Sequence, residues 1–350
     1  MNVNKISIPR PDDWHVHLRD DALLAAVIAD TARTFGRAIV MPNLKPAVTT
    51  ARAAAAYRAR IEAQIPLSSN FRPLMTCYLT DTTDAKDLRA GFEDAIFVAA
   101  KLYPAGATTN ADAGVTELGL LTEVLEVMQE LGMPLLIHGE VVDPEIDIFD
   151  REAVFIERVL APLTKHYPAL RIVFEHVTTT EAVEFVKSQG PQVAATITPH
   201  HLMINRNALF RGGIRPHYYC LPVAKREHHR QALRAAAISA DPKFFLGTDS
   251  APHPASDKES DCGCAGVYNS ATAMSCYAQV FDEENSLDRL AGFASMFGAD
   301  FYGLARNTET LSLKKGPALA PPDDIGHGNE RIIHFVPDEP RYWEIVEDDG

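Results

Sequence analysis

Short apolar runs alternate along the chain with longer stretches of helical spacing. "RAIVMPN" (37–43), "RPLMTCYLT" (72–80), "AIFVAAKLYP" (95–104), "MPLLIHGE" (133–140), "LRIVFEHV" (170–177), "QVAATITPHHL" (192–202) and "KFFLGTDS" (243–250) read as buried strands. The opening "DWHVHLRD" (13–20) adds an eighth. Between them lie helical patterns: "DALLAAVIADTARTFG", "ARAAAAYRARIEAQ", "REAVFIERVLAPLTKHY" and "KREHHRQALRAAAISA". In "TELGLLTEVLEVMQELG" the apolar spacing is near 3.6 and a glycine stands where the helix should stop. Strands separated by helices predict parallel pairing through right-handed crossovers, and runs without alternation predict strands covered on both faces. Eight such units predict an α/β fold of the (β/α)₈ TIM-barrel type over about residues 10–306, rather than an open sheet. No GxGxxG follows the first strand, so a dinucleotide fold has little support. The segment 307–350 is rich in proline, glycine and charge. It reads as an extension packed on the barrel, with one or two short strands, within a single domain spanning 1–350.

In such a barrel the chemistry sits at the C-terminal strand ends. The first run closes with His15 and His17, which alternate and so share a face. Asn43 closes the second, Lys101 the fourth, His138 the fifth, His176 the sixth and Asp249 the eighth. A histidine at a strand end is, taken singly, more often a hydrogen-bonded structural residue. Jointly, four imidazoles and a carboxylate on one rim are what a zinc-like ion takes in a catalytic site. Lys101 is the odd member, because an ammonium repels a metal. Either it is an amine that forms a Schiff base, or it carries carbon dioxide as a carbamate that bridges two metals. The four histidines favour the carbamate; a lysine snorkelling at the rim is the bland alternative.

Composition narrows the class. The formal charge of −14 gives no counterion-release gain on nucleic acid, which argues against DNA or RNA binding. Five cysteines make no disulfide framework and suit a reducing cytosol. No apolar run reaches the roughly 18 residues of a membrane span, and "MNVNKISIPRPDDW" lacks a secretory h-region, so a cytoplasmic enzyme without a membrane partner is expected.

The set HxH, Lys, His, His, Asp on successive strands resembles the amidohydrolase superfamily with a binuclear metal centre. Within it, "DDWHVHLRD", "MPNLKPAVTT", "KLYPAGATTN", "FEHVTT", "TPHHL", "GTDSAPH" and "CGCAG" resemble the short, class II dihydroorotase family, from about residue 9 to the 320s. That resemblance implies reversible cyclisation of N-carbamoyl-L-aspartate to L-dihydroorotate, the third step of pyrimidine synthesis. It implies two zinc ions with a bridging hydroxide. His15, His17, Lys101 and Asp249 would hold one; Lys101, His138 and His176 would hold the other. Lys101 would be N6-carboxylated from CO2 or bicarbonate, Asp249 would shuttle the proton, and the enzyme would be a homodimer.

Arg19, Asn43, His138 and His253 would bind the anionic substrate, and backbone groups near Leu221 and Ala265 would meet its ring. For Arg19 the competing reading is an ion pair with Asp20 or Asp21. Thr108 and Thr109 fall in "PAGATTNADAG", a mobile loop that would close over substrate, or else a plain solvated loop. Cys262 and Cys264 lack a second cysteine pair and read as loop residues. His200 and His201 end the seventh strand, with one expected behind the metal ligands; His166, His228 and His229 fall on helices and should be exposed; His217, His327 and His334 carry no argument. Three readings compete: a hydantoinase or dihydropyrimidinase, whose longer chains carry a β-sandwich; an inactive homologue kept as an assembly partner; and a Schiff-base aldolase.

Overall fold

Every one of the eight apolar runs becomes a strand of one sheet. The computed structural model describes residues 4–347. After a short β1 (Lys5–Pro9) come β2 (Asp13–Val16), β3 (Arg37–Val40), β4 (Arg72–Tyr78), β5 (Phe97–Leu102), β6 (Leu135–Ile137), β7 (Ile172–Phe174), β8 (Val193–Ile197) and β9 (Phe244–Leu246). β2 to β9 pair in sequence order, all parallel, and bonds just past the strand ends join β9 back to β2. Val16 bridges Ser250, and the Asp249 N–H donates to the His15 carbonyl at 2.8 Å. The eight-stranded TIM barrel is therefore the architecture.

One layer of inward side chains fills the barrel. Trp14 and Phe245 are large, Ala99 and Ala194 small, and Leu136 and Val173 lie between them in size. Such mixing of sizes lets a closed ring of strands reach core density. Trp14 stacks on Tyr302 with ring centroids 4.7 Å apart. A Cβ on Gly298 would lie 1.9 Å from the Trp14 indole nitrogen, so the close approach requires glycine there.

The helices follow their local signals. Asp20, Thr50, Asp84 and Thr179 each accept a backbone N–H at a helix start. The helix Thr122–Leu131 stops at Gly132, whose φ of 64° closes the C-terminus as its position predicts. The run expected as one helix over 151–167 is divided: α-helix Arg151–Phe155, a π turn Ile156–Leu160, and α-helix Ala161–His166. Pro162 supplies no N–H to the carbonyl four residues back, and a widened turn there relieves the clash of its ring.

The tail contributes two strands, β10 (Thr310–Lys315) and β11 (Trp343–Val346). Both are antiparallel in a second sheet of order β1-β10-β11. β1 is absent from the sequence expectation, because its five residues lie among polar neighbours; its partner is some 300 residues away. Among the described residues no helix is long and apolar enough to cross a membrane.

Candidate metal centre at the strand ends

The acidic pair before the two histidines builds the base of the site. Asp12 is fully buried and grips Arg37 of β3 through both oxygens, at 3.0 and 2.5 Å. Asp13 accepts the Thr248 N–H at 2.8 Å and the Thr248 hydroxyl, clasping β2 to the segment after β9. Burial pushes the Asp13 carboxyl up to about 7, with the Thr248 bonds opposing it. The clasp sets His15 beside Asp249 across the barrel's closing seam.

Lys101 lies within β5, while His17, Asn43, His138, His176 and Asp249 fall one to three residues past their strands. Their side chains meet. His17 Nε2 is 3.0 Å from Asp249 Oδ1, His15 Nε2 is 3.3 Å from that oxygen, and the two Nε2 atoms are 3.4 Å apart. Ligands at 2.0–2.1 Å from a tetrahedral ion sit about 3.3 Å from one another, so these separations suit a shared cation. His176 joins His15 and Asp249 in a buried group whose ligand atoms lie within 4.8 Å. The His138 and His176 rings are 4.8 Å apart in edge contact.

Each ring is aimed by its other nitrogen. His15 Nδ1 meets Glu175 at 2.8 Å, His17 Nδ1 meets the Asn43 side-chain oxygen Oδ1 at 2.8 Å, and His138 Nε2 meets Glu140 at 3.0 Å. These contacts leave His15 Nε2, His17 Nε2 and His138 Nδ1 for the centre. Sequence reasoning missed Glu175 and Glu140. The signal was present, since "FEH" and "HGE" put a carboxylate within two residues of a candidate ligand. Asn43 was expected at substrate; its amide oxygen is engaged with His17 and its nitrogen donates to the Thr109 carbonyl at 3.0 Å.

Lys101 Nζ and His176 Nδ1 are buried and have no hydrogen-bond partner among the described residues; Lys101 Nζ lies 4.9 Å from the centre of the Tyr103 ring. Lys101 is fully buried, which removes the snorkelling alternative. Burial lowers its amine to about 8, against the pull of Glu175 and Asp249. Burial likewise lowers His17 to about 4 and pushes His176 well below the imidazole range. At His15 burial is outweighed by Glu175 and Asp249, which hold it above the ordinary value. At Asp249 burial is outweighed by His15 and His17, which keep it an anion. Burial keeps the imidazoles of His17, His138 and His176 neutral, and with His15, the Asp249 carboxylate and the Lys101 amine they form a donor set fit for metal. His176 and Asp249 also have positive φ, 41° and 45°, a strained geometry for non-glycine residues.

Arg19, at φ 58°, turns inward. It does not pair with its neighbours: Asp20 is held by Arg60 at 2.7 Å, while Arg19 donates to the Pro252 carbonyl at 3.1 Å and to His253 Nε2 at 2.9 Å. Burial and then Arg19 push His253 down to about 2, so it is a neutral acceptor. Leu221, Ala265, Thr108 and Thr109 line the same pocket as the metal-type residues. The Thr109 hydroxyl donates to the Ala265 carbonyl at 3.2 Å. That contact stands between the inner pocket and an outer cavity of about 510 Å³ bordered by His253 and Cys262.

Other histidines part from expectation. His229 is buried, not exposed, and accepts the Thr180 N–H at 3.0 Å; His228 and His166 are exposed. His200 and His201 open a short helix, Pro199–Met203, beyond β8. His201 Nε2 donates to the Pro222 carbonyl at 3.0 Å, next to Leu221. Cys264 brings its sulfur within 4.8 Å of ligand atoms on His253 and Asp257, whereas Cys262 is exposed. A cleft of about 530 Å³ on the barrel flank, beside Leu102, Phe155 and Tyr167, is mostly apolar and lies apart from this chemistry.

The amidohydrolase family pattern matches residues 12–322. A dihydroorotase of Nitrosomonas eutropha is 56% identical over 345 residues, 98% of this chain and 100% of that one. One of Ralstonia nicotianae is 57% identical over 345 residues, again 98% and 100%. Among solved structures, a dihydroorotase from Campylobacter jejuni superposes with a TM-score of 0.89 at 33% identity, covering 99% of each chain. A dihydroorotase from Saccharomyces cerevisiae in complex with 5-fluoroorotic acid gives 0.89 at 32%, covering 98% of this chain and 99% of that one. The L-hydantoinase of Arthrobacter aurescens, at 18% identity and a TM-score of 0.79, shares the fold; 98% of this chain covers 83% of that one.

Proposed function

The chain belongs to the amidohydrolase family, and from that premise we propose that it is a dihydroorotase, closing N-carbamoyl-L-aspartate to L-dihydroorotate with loss of water and reopening the ring. This is the third step of pyrimidine synthesis, and the same proposal makes the enzyme a cytoplasmic homodimer. The carrying observation is the buried Lys101 amine, without a hydrogen-bond partner among the described residues, set among four histidines and Asp249 at one rim. Full-length identity of 56–57% to dihydroorotases narrows the ring that the centre opens.

The residues present fit a binuclear zinc centre. His15, His17, Asp249 and carboxylated Lys101 would hold one ion, and Lys101, His138 and His176 the other. Two bound divalent ions lower the pKa of water and polarise a carbonyl. Burial moves the Lys101 amine toward its neutral form; in that form it would make an N–C bond to CO2 and shed a proton, and the carbamate anion would replace an ammonium that the cluster would repel. Asp249 takes the proton of the attacking water during ring opening and returns it to the departing ring nitrogen. Arg19 and His253 receive the substrate carboxylate, with Asn43 beside them. Backbone groups at Leu221 and Ala265 meet the ring, and Thr108 and Thr109 cover it.

The test is metal content measured with activity. Protein purified with bicarbonate should hold near two zinc ions per chain and consume dihydroorotate, followed by absorbance, and Lys101→Ala should abolish both turnover and the second ion. Two ions without turnover would move the substrate to another cyclic amide. No metal and no turnover would refute the proposal.

A further inference from the structure

We propose that Lys258 is a positioning residue for the ring pocket, its buried ammonium tying the Tyr219–Leu221 and Cys264–Gly266 segments into one wall. Lys258 is 3% exposed, and its Nζ donates to the carbonyls of Tyr219 at 2.9 Å, Cys264 at 2.7 Å and Gly266 at 2.7 Å. An ammonium has three protons, and all three are used. The acceptors come from two stretches some 40 residues apart in sequence. The Gly266 N–H donates to the same Tyr219 oxygen at 3.1 Å, so the two stretches are stitched at one atom. Leu221 follows Tyr219 by two residues, and Ala265 lies between the two other acceptors. The knot therefore sits directly behind both backbone groups assigned to the ring, and the inference rests on that assignment.

Lys258's partners are carbonyls, not a carboxylate. Burying an ammonium without a counter-charge is costly, and an apolar side chain would fill the same space at no such penalty. The charge also lies on the Arg19 side of the pocket, where it adds to the field that draws an anion. Gly266, at φ 154°, has the Ala251 carbonyl 2.7 Å from where a Cβ would stand, so the close approach of this wall to Ala251 requires glycine.

Lys258→Met keeps the volume and removes every donor. The expected result is a KM for both substrates raised about tenfold, a kcat within about threefold, and zinc per chain unchanged. The Cys264 and Gly266 amides should exchange hydrogen faster, with the rest of the barrel unaffected. An unchanged KM, or joint loss of kcat and metal, overturns the proposal. Should Lys258→Met not fold, Lys258→Gln, which keeps two donors on a shorter stem, is judged by the same split between KM and kcat. If the unaltered protein opens no dihydroorotate, the ring assignment fails by itself. Hydrogen exchange then still decides on Lys258, with faster exchange confined to the two segments supporting it and unchanged exchange overturning it.

Discussion

Glu175→Gln tests what a buried charge would contribute to the proposed metal centre. Glu175 is fully buried, and its Oε2 faces His15 Nδ1 at 2.8 Å and the Thr196 hydroxyl at 2.6 Å. Its Oε1 has no hydrogen-bond partner among the described residues, so a glutamine nitrogen placed there breaks no bond described for it. The amide oxygen can still accept from His15, and the ring keeps its angle and tautomer. The charge is lost, and two amide N–H donors take the place of Oε1. A charge-assisted bond contributes about 1.5–3 kcal/mol and a neutral one about 0.5–1.5, so the change costs about 1–1.5 kcal/mol. At about 1.4 kcal/mol per decade this is a roughly tenfold weaker hold on the ion at His15. Glu175→Ala also strands the imidazole N–H and should cost nearer a hundredfold, the upper end for such partners. Dialysis against a graded chelator series, with retained zinc counted per chain, measures the shift, and melting of the metal-free proteins controls for folding. Equal retention by Glu175→Gln and the unaltered protein would refute the reasoning, as would a metal-free melting temperature that falls in step with retention.

Three further outcomes follow from packing and charge. Asp12→Ala leaves the Arg37 guanidinium buried and unpaired, and urea unfolding should show a loss of about 3–5 kcal/mol. Gly298→Ala forces Trp14 off the Tyr302 ring and should destabilise by about 1–3 kcal/mol, with a changed tryptophan emission spectrum as its signature. Glu227 is held down to about 2, first by the Arg230 bond. Its contribution is therefore full above the ordinary carboxylate pKa and is lost as pH falls toward 2. The side chain is 43% exposed, so the effect stays below about 1 kcal/mol, and Glu227→Gln should flatten that part of the acid-stability curve.

The barrel was legible because its eight strands are short apolar runs with a helical pattern in five of the seven gaps between them, both local signals. The metal-type residues were legible for a related reason: the strand-end rule converts position in a run into position on a rim. What escaped was non-local or directional. β1 alternates Ile6 and Ile8 in a polar setting, and its partner β10 lies at the far end of the chain. Glu140 and Glu175 sat in quoted motifs, but no pattern says which ring nitrogen a neighbouring carboxylate will face. Arg19 seemed free to pair with Asp20, and only the positive φ that turns it inward, with Arg60 taking the aspartate, sends it to His253. His229 was placed on the outer face of its helix, but the neighbouring helix Thr180–Ser188 covers it and uses it as an acceptor.

The seam that brings His15 and His17 to Asp249 also imposes an order in time. His17 and Asp249 are separated by 232 residues. At about 5–20 residues per second, the ribosome takes roughly 10–50 s to bridge that interval. For that period the two histidines are made but have no aspartate to complete their cluster, and β2 has no neighbour on its open side. A cation held jointly by these three side chains would therefore mark a closed barrel, and a chain cut short before Asp249 would lack one of its ligands. Such an ion would report on the fold, since its three ligands meet only when the first strand and the last have found each other.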